Sequence, residues 1–155
     1  MADDLILAVI DGSPAAVAAV DEAVKLAAAM DASVQFVHAD SALAEALFDA
    51  NPETGPSSGE IVARDSVLND ALTRAQARGV AADVKVISNA QEDEADLAAS
   101  IAGMAEGLGA TMIVVGSRGR GPIVAGVLGS VSHNLIKFAR VPVLVVNAPS
   151  AEHGR

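Results

Sequence analysis

Two short stretches hold residue types that could grip a phosphorylated ligand. Asp11-Gly12-Ser13-Pro14 follows the apolar run Leu5–Ile10, and Gly116-Ser117-Arg118-Gly119-Arg120-Gly121 follows the apolar run Met112–Val115. Gly116 and Gly119 lack the Cβ that would keep a ligand away from backbone N–H groups. Further on, Gly129-Ser130 opens a helical segment whose N-terminal amides and dipole favour an anion. Charge is partitioned to match. Residues 1–106 carry 19 acids and 5 bases, whereas residues 107–151 hold no acid and four bases, Arg118, Arg120, Lys137 and Arg140. In a chain of net charge −10, an acid-free basic stretch around a glycine loop suits a polyphosphate. The glycines alone would be equally at home in plain turns, so it is their agreement with charge and position that points to an anion cradle.

Other signals carry less. Gly55-Pro56-Ser57-Ser58-Gly59 satisfies G-x-S-x-G, but it lies in a proline-containing loop, whereas a nucleophile elbow needs a tight strand-to-helix turn. Neither G-x-x-x-x-G-K-[ST] nor a strand-linked G-x-G-x-x-G is present. Glu92-Asp93-Glu94 with Asp96 reads as a solvated helix start rather than a metal cluster. His38, His133 and His153 have no ligand spacing; His38 is placed to border a pocket, and His133 to lie on a helix surface.

The elements that must position the two stretches are legible as short β-branched runs: Leu5–Ile10, Val34–His38, Val84–Ser88, Met112–Val115 and Val143–Val146. They are apolar nearly throughout, as strands buried on both faces of a parallel sheet are. Between them, helical spacing joins Val17, Val20, Val24 and Ala28 after the Ser13-Pro14 cap signal. A second helix is expected over about 60–78, on the stripe Ile61, Leu68, Leu72 and Ala75. The third has Leu97, Ile101, Met104 and Leu108, and the last has Val131, Leu135 and Phe138. Alternating strands and helices predict an α/β fold, a single doubly wound five-stranded parallel sheet of order 3-2-1-4-5 with helices on both faces. One domain spans 1–155, with 41–59 as a mobile surface loop around Asn51–Gly59. In this order the first and fourth strands meet where the topology reverses, which is where open α/β sheets bind ligands. The two chemical stretches follow those two strands.

Gly116-x-x-Gly119, nine residues, then Gly129-Ser130 resembles the G-x2-G-x9-G-[ST] signature of ATP-binding universal stress proteins. Leu7-Ala8-Val9-Ile10-Asp11-Gly12-Ser13 resembles that family's first strand and acidic turn, Phe36-Val37-His38 its second strand, and Val141–Val146 its closing strand. The resemblance implies ATP, with Mg²⁺ carried on the phosphates, as the ligand. It puts Asp11 at the ribose hydroxyls, Val9 and Ala39 at the adenine, and Val115 and Gly116 along the nucleoside. Gly119, Gly129, Ser130, Val131 and Ser132 fall at the phosphates. It also implies a homodimer that meets through the last strand. The residues themselves leave alternatives open: Asp11 as a turn or capping carboxylate, and Ser130 as a plain helix N-cap.

Composition excludes several functions. With 2% aromatics and no Trp or Tyr, stacking platforms for single-stranded nucleic acid are absent, and the acidic balance disfavours nucleic acid and anionic membranes. No run approaches the ~20 apolar residues of a membrane helix. Lacking Cys, the chain has no disulfides, thiolate metal sites or Cys nucleophiles. The opening Met1-Ala2-Asp3-Asp4 is acidic where a secretory signal is basic, so a cytoplasmic protein is expected. The leading expectation is a regulatory adenine-nucleotide binder whose occupancy modulates a stress response. The alternatives are a slow nucleotide hydrolase or phosphotransferase and a dimerisation module without ligand.

Overall fold

A computed structural model describes residues 4–88, 94–117 and 128–148. Five parallel strands form one sheet of order β3-β2-β1-β4-β5, composed of β1 (Leu5–Ile10), β2 (Ser33–Ala39), β3 (Ala82–Ile87), β4 (Met112–Gly116) and β5 (Val143–Val146). This is the architecture expected from the alternating pattern, and the strand bounds agree to within two residues. Helices α1 (Pro14–Met30), α2 (Ser41–Ala50), α3 (Ser58–Arg64) and α4 (Ser66–Ala77) cover one face, while α5 (Glu94–Leu108) and α6 (Ser130–Phe138) cover the other.

Strand alternation divides the core in two. Ile6, Ala8, Ile10, Phe36 and Val114 pack under α1 to α4, and Leu7, Val37, Ile113 and Val115 pack under α5 and α6. The α1 helix starts at Ser13, whose hydroxyl accepts the Ala16 N–H at 3.2 Å, with Pro14 in its first turn. Its buried face is Ala-rich, carrying Ala16, Ala19, Ala23 and Ala27 alongside Val20 and Val24. Small side chains let the helix axis lie close to the strands, which is how β4 and α1 come to touch.

Two expectations are corrected. The helix expected over 60–78 is two helices broken at Asp65, which has φ −123° and ψ 98°. Its buried carboxylate accepts the Val67 and Leu68 N–H groups at 3.0 and 3.1 Å, so it ends one helix and caps the next. Nor is 41–59 a loop throughout. Asp40 caps α2 through the Leu43 N–H at 3.1 Å, and Ser57 and Glu60 form a reciprocal capping box that starts α3. Two stripe ends are also more open than their spacing suggests, Leu108 at 47% and Phe138 at 42% exposure.

Candidate functional site

The carboxyl ends of β1 and β4 are neighbours, with Val9 opposite Val115 in the register. Val9, Ala39 and Val115 all project to the α5/α6 face, so the two apolar positions expected at the adenine and one of those expected along the nucleoside share one side of the sheet. Ile10 pairs with His38 on β2, which sets the Asp11 turn beside Ala39. In that turn the Ser13 N–H donates to Asp11 Oδ1 at 2.9 Å, and Gly12 takes φ +81°, a conformation costly for any residue with a Cβ. One oxygen of Asp11 therefore shapes the turn, as the structural alternative requires. A carboxylate has acceptor sites left for a hydroxyl donor.

Gly116 is tight for a reason the motif alone does not reveal. A Cβ there would stand 2.9 Å from the carbonyl carbon of Ala15 and 3.0 Å from its Cβ. The residue lets the end of β4 press against the first turn of α1, holding the two chemical stretches together.

Beyond it, Ser117 is a junction. Its N–H donates to the Val146 carbonyl at 2.8 Å, and its own carbonyl accepts the Gly129 N–H at 2.6 Å. The buried Ser132 hydroxyl lies 3.1 Å from the Ser117 carbonyl and 3.0 Å from that of Gly129, and its single proton serves one or the other. The two ends of the glycine-rich segment are thereby pinned at the edge of the sheet. Gly119, with Arg118, Arg120 and Gly121, lies outside the described residues, as do Glu92 and Asp93.

The pin sets the start of α6. Its N-cap is Gly129, not Ser130, with φ −64° and ψ 159°, and no side chain among the described residues caps it; its first turn holds no acid. An α-helix leaves its first amides without intrahelical partners, and here nothing of opposite charge in the helix's own first turn compensates them. Ser130 is exposed and Val131 half-buried, and the Ser130 carbonyl accepts the Asn134 amide at 2.8 Å. His133 is exposed on the helix surface, as its position suggests.

His38 is a correction. Its ring faces α4, opposite to Val9 and Val115, where Nδ1 lies 2.7 Å from Asp65 Oδ2, with only 13% and 2% of the two side chains exposed. It ties β2 to the α3–α4 break rather than lining the face that holds Val9, Ala39 and Val115. Asp65 carries no motif; the signal for it is an acid on the otherwise apolar stripe between Ile61 and Leu68. Among the described residues no group of three or more His, Asp or Glu could hold a metal ion, and no helix is long and apolar enough to cross a membrane.

Comparison with known proteins accords with this architecture. The chain is 28% identical over 153 residues to universal stress protein YxiE of Bacillus subtilis (strain 168), covering 90% of this chain and 96% of that one. A universal stress protein solved in complex with cAMP superposes with a TM-score of 0.66 at 25% identity, covering 96% of this chain and all of that one. A member from Burkholderia pseudomallei gives 0.61 at 31% identity over 92% of this chain and 95% of that one. The model of the universal stress protein family matches residues 4–147. With strand order, topology and nearly its whole length in agreement, the chain belongs to the universal stress protein family.

Proposed function

We propose that this chain is a regulatory nucleotide binder that takes ATP with Mg²⁺ where β1 and β4 end. The observation that carries this reading is the start of α6: an N-terminus without a side-chain cap or an acid in its first turn, fixed by the Ser117–Gly129 bond beside the Asp11 turn. Such an end is suited to a phosphate. In this reading Gly119, Ser130 and Val131 hold the phosphates, Gly129, whose N–H is engaged by Ser117, leaves them room, Ser132 contributes its backbone N–H because its hydroxyl is engaged, Val115 and Gly116 flank the nucleoside, Asp11 accepts from the ribose hydroxyls, and Val9 and Ala39 flank the base. That a relative of the same fold was solved with cAMP supports an adenine nucleotide. Magnesium would arrive on the phosphates.

Mass spectrometry of the purified, denatured protein should release an adenine nucleotide, and calorimetry should show ATP binding that a folded Gly129→Val variant loses. Asp11→Ala should weaken it by about 1–3 kcal/mol, the worth of a hydrogen bond to a charged group. Unchanged affinity in both variants would remove ATP from this site. We propose further that two copies pair through β5, which lies outermost in the sheet with all four of its residues only half-buried.

A further inference from the structure

On the face of the sheet opposite to Val9 and Val115, α1, α4 and the end of β1 enclose a cavity of about 200 Å³. Its polarity is graded. Ile10, Ala16 and Val20, each at most 4% exposed, make the floor. Half-buried Val17 and Val67 face each other from the two helices, and exposed Ser66 and Asp70 form the rim. The rim is acidic. Arg74 donates from Nε to Asp70 Oδ2 and from Nη1 to Asp21 Oδ1, both at 2.8 Å, so one cation is shared by two carboxylates and a net negative charge remains. Asp70 Oδ1 keeps its acceptor capacity.

We infer that this cleft between α1 and α4 is a second, small-ligand site for a cationic amphiphile of one aromatic ring and a short amine tail. The volume sets the size. An apolar cavity of about 150 Å³ accommodates a benzene ring, so the space here holds a ring with two or so further carbons and falls short of the ~300 Å³ at which drug-sized pockets begin. The floor takes the ring by excluding water from it, and the Asp70 carboxylate and Ser66 hydroxyl take the ammonium. An anion meets two carboxylates that already occupy the Arg74 guanidinium and is disfavoured by the excess negative charge. The site touches Gly12, so it and the Asp11 turn share one stretch of backbone.

Titration of the isotope-labelled full chain with 2-phenylethylamine, followed by amide chemical shifts, tests this. Saturable shifts centred on Gly12, Val17 and Val67 are expected, with a Kd of about 1 mM for so small a ligand. Phenylacetate, the same ring with a carboxylate, should bind at least about fivefold more weakly, and Asp70→Asn should weaken the amine by about two- to fivefold, the range of an exposed ion pair. Val17→Phe should fill the cleft and abolish the shifts. Should that variant fail to fold, Val67→Phe fills the cleft from the α4 side. The inference is overturned if the amine gives no saturable shift at these residues, if it binds a folded filled variant as well as the parent, or if phenylacetate binds as tightly.

Discussion

Gly116 meets a demand of packing before any demand of ligand binding. The Ala15 backbone occupies the place of the missing methyl at 2.9 Å, a distance that real Cβ atoms do not adopt, and backbone cannot swing aside as a long side chain can. Gly116→Ala should therefore destabilise the fold by about 1–3 kcal/mol, the range for overpacking a filled interior. Losing glycine's unfolded-state entropy returns only about 0.4–1 kcal/mol, so the sign is set by the clash. Urea denaturation measures it, and a variant as stable as the parent would show that β4 and α1 can separate freely. The residue thus has a role whether or not a nucleotide lies along it.

Among the elements, the α3–α4 break turns on one carboxylate. Asp65 caps α4 through two N–H groups and accepts from or bonds to His38 across 27 residues of sequence. Asp65→Ala removes all three contacts from a buried position. A cap contributes about 0.5–2 kcal/mol and a buried polar partner left unsatisfied costs about 1–3 kcal/mol, so a loss of about 2–4 kcal/mol is expected by chemical denaturation. Asp65→Asn keeps an amide oxygen for the cap and should cost less. A loss below about 0.5 kcal/mol in the Ala variant would mean that the two helices need no cap to separate. The same element shows what a sequence reveals and what it hides. Runs such as Leu5–Ile10 announce strands because burial on both faces leaves no polar alternation to obscure them. Ile61, Leu68 and Ala75 keep one helical stripe across the break, so periodicity joins two helices into one, and only the acid at 65 betrays the joint. Asp40 with Leu43 and Leu47 has helical spacing, yet the Pro- and Gly-rich stretch after it draws the whole of 41–59 toward a loop assignment. At the candidate site, the glycines and the acid turn are visible as residue types. The Ser117–Gly129 bond joins backbone to backbone, and the His38–Asp65 pair joins distant segments, so neither leaves a mark in local composition.

For the whole molecule, the doubly wound topology brings Ser117 and Gly129, the two described ends of the glycine-rich segment, together beyond β4, which lies next to β1. Hydrolysis needs terminal-phosphate charge stabilised and a water oriented. Residues 107–151 contain no carboxylate, and Asp11 already gives one oxygen to the Ser13 amide. If the protein binds ATP as proposed, steady-state phosphate release should run far below about 1 per second. Several turnovers per second, abolished by Ser130→Ala or His133→Ala, would replace the binder with an enzyme. The proposed β5 pairing is tested by light scattering at micromolar concentration, which should give twice the mass of one 15.5 kDa chain; a monomer would refute it.

The bond between Ser117 and Gly129 closes a ring in the chain. Strand and helix are joined at its neck, where the Ser132 hydroxyl reaches the carbonyls of the same two residues. The first amides of α6 are therefore hung from the end of the sheet itself, and a shift of β4 would carry them with it.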